Sequence, residues 1–390
     1  MPAIVSISIY TFHVNQNSPV PRGQSKTNMN EKINSSKLKD ILKTRTYAQF
    51  KIDNIFVFLK QFREFFLQDT FFYRGHANAE WGLRTSYDRY KENYGPSLVI
   101  PEYCDTACDR LLFQGELNAI HYYQAINDSF RDSRHPKIEV LSEMQHYGAA
   151  TRLLDVTESF GVALFFAVAE KKNIDYAAIW AINKRILIDS FVLGEYVNHS
   201  STKSKKYYMF NPRDKKQMNL MEKQLLTSFS GIETGTNKEF CDYAECIIGN
   251  EEVINPPKGF PYSTVYPGVF PVRPMIFNNR LLAQNGLFLL QQSLEYSFLD
   301  NLLNTLNISP SEFKKEISSA ETPNISSKEY DSELLNTALV KFIIPRSEFN
   351  SCKSILKSMN INYKSLFPDK YGIIKTAEKK YFPHYCPVKI

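Results

Sequence analysis

From Leu38 onward the apolar positions of this 390-residue chain fall into two rhythms. Ile55, Phe56, Phe58, Leu59, Phe62, Phe65 and Phe66 recur at spacings of three and four, the stripe of an amphipathic helix. After Thr70, the run Phe71-Phe72-Tyr73-Arg74-Gly75 predicts an aromatic strand ending in a glycine turn. Helices are predicted over 107–127 and 139–147, the second closing at Gly148, which suits the left-handed position after a helix. Residues 159–170 are apolar nearly all round and predict a buried helix capped by Thr157 or Ser159. A short central strand follows at 177–182. Order returns over 280–291, and a strand at 338–344 leads into a helix ending near Lys357.

Two stretches break this pattern. Residues 11–36 are rich in Asn, Ser, Pro, Gln and Lys without apolar periodicity, so 1–36 reads as a flexible leader, with Met29 a second candidate start. The remainder, 37–390, reads as a single domain with a basic insertion near 190–275. Within it, residues 200–223 hold seven Lys or Arg against two acids. Aromatics there are limited to Tyr207, Tyr208 and Phe210, so a solvated insertion is favoured over a nucleic-acid patch. Pro256, Pro257, Pro261, Pro267, Pro271 and Pro274 then mark an extended connection.

Composition narrows the class. An apolar fraction of 43%, with 28 Phe and 23 Tyr, belongs to a globular chain. The net charge of +6 permits an anionic ligand without singling out nucleic acid. Six sparse cysteines and no secretory pattern lead us to expect a reduced, cytoplasmic compartment. Neither a membrane span, a P-loop nor a Gly-x-Ser-x-Gly elbow occurs, and Cys104-x3-Cys108 and Cys241-x4-Cys246 lack a full ligand set, so no metal is expected.

The candidate chemistry gathers at Gln145-His146-Tyr147-Gly148-Ala149-Ala150-Thr151-Arg152-Leu153-Leu154-Asp155, directly ahead of the buried helix. Dense polar groups beside a rigid apolar support are the layout of a site on a scaffold. Arg74 before Gly75 would offer a planar fork to a phosphate or carboxylate, or else pair with an acid such as Asp155. If the segment from Thr151 is extended, Arg152 and Asp155 fall on opposite faces and need separate partners; a buried network holding the turn is the plainer reading of both. His146 suits a helix C-terminus and could equally serve as general acid–base or ligand contact. Gln145 and Gln284 can orient, donate or accept, but cannot ionise.

The segments 71–75, 145–155 and 279–288 (Asn279-Arg280-Leu281-Leu282-Ala283-Gln284-Asn285-Gly286-Leu287-Phe288), in this order, resemble the FRG-domain family, named for its Phe/Tyr-Arg-Gly element. Trp81-Gly82-Leu83, Glu116 and Leu366-Phe367-Pro368-Asp369 extend the resemblance over about 50–375. Val156 stands where the family mostly has Trp, and Ala150 where it mostly has Pro. The resemblance implies an α+β domain, a mixed or antiparallel sheet with flanking helices, and a place beside bacterial antiviral defence or toxin systems. A second resemblance, to ADP-ribosyltransferases, rests on the order of Arg74, Thr151 and Gln284 and implies a split sheet that holds NAD.

On that reading Arg74, Gly75, Gln145, Thr151 and Arg152 would hold NAD, while His146, Asp155 and Gln284 would serve catalysis. Because an oxocarbenium-like centre prefers a carboxylate, Gln284 in that place would cost on the order of 3 kcal/mol, so Asp155 or Glu143 must supply the charge, or the site binds without turnover. The expected activity is NAD glycohydrolysis or ADP-ribosyl transfer, with a protein acceptor or defence-system partner. A non-catalytic nucleotide-sensing or interaction module, and a nucleic-acid-binding or nuclease effector using 203–223, remain the alternatives.

Overall fold

The computed structural model describes residues 47–62, 69–94, 108–130, 135–170, 174–191, 244–245, 247–248, 267–274, 279–313 and 337–381. The predicted leader and the basic stretch 200–223 lie outside them. Among the described residues seven strands join in one sheet: β1 (Tyr47–Lys51), β2 (Phe71–His76), β3 (Leu153–Thr157), β4 (Tyr176–Asn183), β5 (Val269–Val272), β6 (Gly286–Gln291) and β7 (Leu339–Pro345). Their order is β1-β7-β4-β2-β3-β6-β5. β1 pairs with β7 in parallel and the other neighbours are antiparallel. With helices on both faces, this is the α+β mixed-sheet fold expected of the sequence.

The helices that matter here are α1 (Ile55–Gln61), α2 (Ser86–Tyr94), α3 (Cys108–Ile126), α4 (Lys137–His146), α5 (Phe160–Val168), α6 (Asn279–Ala283), α7 (Phe298–Leu306), α8 (Phe349–Ser358), α9 (Tyr363–Leu366) and α10 (Lys370–Tyr381). α1 starts where the Asn54 side chain accepts from Val57 N. It buries Ile55, Phe58 and Phe62 but leaves Phe56 exposed, so the stripe is narrower than predicted. Phe65 and Phe66 lie outside the described residues. α5 is the predicted buried helix. Ser159 caps it by accepting from Val162 N, and the Thr157 hydroxyl in turn accepts from Ser159 N.

Strand alternation separates two cores. Phe71 and Tyr73 of β2 join α5, α1 and α8 on one face; Phe72 joins Trp180, Leu154 and the apolar side of α7 on the other. Gly75 corrects an expectation, since it lies inside β2 rather than in a turn after it. A Cβ at Gly75 would stand 1.9 Å from the Ala163 carbonyl oxygen, so glycine is what lets α5 lie against the strand. Gly148 meets the other requirement of glycine, with φ +87° just past α4. Of the predicted extended connection, residues 256–266 lie outside the described residues, and Pro271 belongs to β5.

One seam of the sheet differs from the rest. β2 and β3 are joined in register at Tyr73 and Thr157 alone, whereas β2 pairs with β4 along its whole length. Beyond Tyr73 the ladder is continued by a side chain, as Arg74 Nη1 donates to the main-chain carbonyl of Asp155. The sheet therefore opens between its two central strands where the polar motif begins.

Candidate functional site

The opening leads into a cavity of about 410 Å³, within the size range of small-molecule sites. Arg74 and Gly75 of β2, Gln145 and His146 at the end of α4, Asp155 of β3 and Gln284 after α6 all line it. Segments far apart in the chain thus converge, as the three-motif reading required. Thr151 and Arg152 do not line the cavity; both are buried behind it.

Arg152 is fully buried and engaged with protein. Its Nε donates to Glu116 Oε1 at 2.7 Å, Nη2 donates to the second carboxylate oxygen, and Nη1 reaches the Gln292 carbonyl at 3.1 Å. This fork ties β3 to α3. Thr151 is bound likewise, its N–H donating to Ser86 Oγ at 2.9 Å and its hydroxyl to Gln145 Oε1. Gln145 then donates through Nε2 to Asp155 Oδ2 at 2.9 Å and to the Leu153 carbonyl at 3.2 Å. A chain of hydrogen bonds from α2 through Thr151 and Gln145 so orients the Asp155 carboxylate, which is itself 60% exposed.

Arg74 is held at two points. Nε donates to His76 Nε2 at 3.1 Å; Nη1 binds the Asp155 carbonyl and lies 3.8 Å from Asp155 Oδ2. His76, two residues on along the same face of β2, is buried, with Nδ1 3.2 Å from the Trp81 carbonyl. Burial first, then the neighbouring Arg74 charge, pushes its pKa down to about 3. The imidazole is therefore neutral, with its proton on Nδ1 facing Trp81 and Nε2 accepting from Arg74.

Arg84, Arg89 and Arg280 also line the cavity. Arg84 and Arg89 come with α2, whose start is set by a reciprocal cap: Thr85 N donates to Asp88 Oδ2 and Asp88 N to Thr85 Oγ1, each at 3.1 Å. Asp88 also accepts from Phe298 N at 3.0 Å, docking α2 on the start of α7. Arg84 pairs with Glu92 at 2.6 Å, while Arg89 Nη1 donates to the Arg84 carbonyl at 3.1 Å. Arg280 pairs with Asp369 at 2.5 Å and lies 5.4 Å over the Phe367 ring. This pairing holds the Asp369 carboxyl below its usual range.

Gln284 stands at the cavity, but its Nε2 donates to the Leu366 carbonyl at 3.1 Å. Together with Arg280–Asp369, that bond fastens the segment carrying Phe367 to α6, and Phe367 joins Val162, Phe166, Leu281 and Phe288 in an apolar wall. The cavity lining so combines guanidinium and apolar groups, with Asp155 its lining carboxylate. Among the described residues no group of three or more His, Cys, Asp or Glu could hold a metal ion.

Residues 69–175 match the family model of the FRG domain. Over that stretch the chain is similar to the FRG domain. The match spans β2, the polar motif and α5, and stops short of the 50–375 over which the motifs extend; the Gln284 segment lies beyond it. No curated protein and no solved structure matches the chain. Among the described residues no helix is long and apolar enough to cross a membrane.

Sequence reasoning passed over His76, Ser86, Arg84, Arg89 and Arg280 as site residues. Arg280 and Phe367 lie in segments already singled out for the family resemblance, and His76 follows Arg74 at the spacing of same-face strand residues. Arg84 and Arg89 had no such signal. Their place depends on how α2 docks.

Proposed function

We propose that the FRG-domain cavity binds a nucleotide with a pyrophosphate, NAD being the leading candidate, and breaks its nicotinamide–ribose bond. The observation that carries this reading is the convergence of four arginines with one lining carboxylate, beside an apolar wall, on a cavity of about 410 Å³. Three of these arginines have a carboxylate neighbour, yet a guanidinium has five donors and keeps several for phosphate oxygens. The Arg89 guanidinium meets only the Arg84 carbonyl among the described residues. The apolar wall of Phe166, Phe288 and Phe367 suits a planar base.

In this reaction the C1′–nitrogen bond breaks and its electron pair leaves with nicotinamide. Asp155, aligned by Gln145, faces the positive ribose carbon; water or an acceptor hydroxyl then bonds to C1′ and passes its proton to the carboxylate. Glu143 does not line the cavity, so Asp155 is the better supported of the two carboxylates expected for this role. Gln284 has a supporting part instead, holding the Phe367 segment.

The test is incubation of the purified protein with NAD, following free nicotinamide by NMR. Turnover lost in Asp155→Asn with affinity kept, and affinity weakened but still measurable in Arg74→Ala, is the expected pattern. No nicotinamide release from the wild type, under conditions where NAD is bound, overturns the catalytic part. A non-catalytic nucleotide sensor is the second reading, favoured by the engagement of the Gln284 amide with Leu366; it expects NAD or ADP-ribose to raise the melting temperature without turnover.

A further inference from the structure

Arg74 is the cation at the mouth of the seam between β2 and β3, and how it is held decides what it presents to a ligand. Its Nε and Nη1 are engaged by His76 and Asp155, while Nη2 has no protein partner among the described residues. We propose that His76 is a positioning residue, an acceptor buried behind Arg74 that fixes the guanidinium and leaves its Nη2 edge to an anionic ligand. This rests on the nucleotide-binding reading of the cavity for its effect on affinity, though not for its geometry.

The chemistry explains why an imidazole stands there. A carboxylate behind Arg74 would hold Nε more strongly but neutralise the charge and compete with phosphate. A hydroxyl acceptor on this strand would be too short to span the 3.1 Å contact made by Nε2 at the far end of the ring. Neutral imidazole accepts one hydrogen bond and adds no charge. Arg74, Lys341 and Arg89 all disfavour its protonation, and the Trp81 carbonyl, drawn in by the turn after β2, takes the Nδ1 proton. Being buried, the ring has its tautomer set by these two neighbours.

Three variants separate positioning from bulk. His76→Gln puts an acceptor near the Nε2 place; His76→Asn keeps a polar group near Nδ1 but cannot reach Arg74; His76→Phe keeps the ring and removes both polar contacts. ADP-ribose affinity is measured by calorimetry, and the Arg74 Nε–H signal is followed by nitrogen-15 NMR without ligand. Asn and Phe are expected to weaken ADP-ribose by about tenfold, the scale of one charge-assisted hydrogen bond, and to lose the exchange-protected Arg74 signal, while Gln retains both. In an Arg74→Ala background His76→Asn brings no further loss, because His76 acts through Arg74. An equal loss in both backgrounds, or an Arg74 signal unchanged in His76→Asn, overturns the proposal. If the wild type binds no ADP-ribose, the nucleotide reading fails, and the ligand-free Arg74 signal alone decides the role of His76.

Discussion

Removing Glu116 tests most directly whether Arg152 holds the fold or serves a ligand. Arg152 is fully buried, and Glu116 takes both its Nε and Nη2 donors. Glu116→Ala removes the carboxylate that takes those two donors, while Nη1 keeps the Gln292 and Gln291 carbonyls at 3.1 and 3.4 Å. Each orphaned buried donor costs about 1–3 kcal/mol, and breaking a buried pair by removing one partner costs about 3–5 kcal/mol in all. The retained carbonyl contacts place the expectation at the lower end, about 3 kcal/mol. With an unfolding entropy of about 2 cal/mol/K per residue, that lowers the melting temperature by about 4 °C. Urea denaturation followed by circular dichroism gives the free energy, and calorimetry the temperature. The double variant Glu116→Leu/Arg152→Met removes both charges and is expected to recover most of the loss. A cost below about 1 kcal/mol for Glu116→Ala, or a double variant no better than the single, would refute the claim that this pair is an interior tie between α3 and β3.

Two further outcomes follow from the same geometry. Gly75→Ala drives a methyl into the Ala163 carbonyl, so α5 must shift off β2, and a loss of about 3 kcal/mol, the upper part of the overpacking range, is expected in urea denaturation; a loss under about 0.5 kcal/mol would contradict the close approach. His76 gives a pH signature: its folded pKa of about 3 lies below the ordinary 6.5, so its contribution is fully present above pH 6.5 and is lost as pH falls toward 3. Between about pH 6 and 5 the stability contribution drops by up to about 1.4 kcal/mol per unit, and this slope is absent in His76→Gln; an unchanged slope in that variant speaks against a buried neutral imidazole.

Much of the architecture was legible in the chain. Aromatic alternation marked β2, glycine marked the end of α4, and an all-round apolar run marked α5 with its Ser159 cap. Local patterns sufficed because helix periodicity, capping and strand alternation are short-range. The same alternation foresaw that Arg152 and Asp155 face opposite ways. It could not say which of them met the interior.

That choice belonged to residues distant in sequence. Glu116, 36 positions before Arg152, takes its fork and removes it from the cavity; Leu366, 82 positions after Gln284, takes its amide. Arg84, Arg89 and Arg280 became site residues only because α2 and α6 dock around the seam. The sequence by itself determined which elements form and where polar chemistry concentrates, since those depend on near neighbours. The tertiary structure decided which polar groups are spent on each other and which remain for a ligand, because a hydrogen-bond donor is committed by whatever the fold brings within about 3 Å of it.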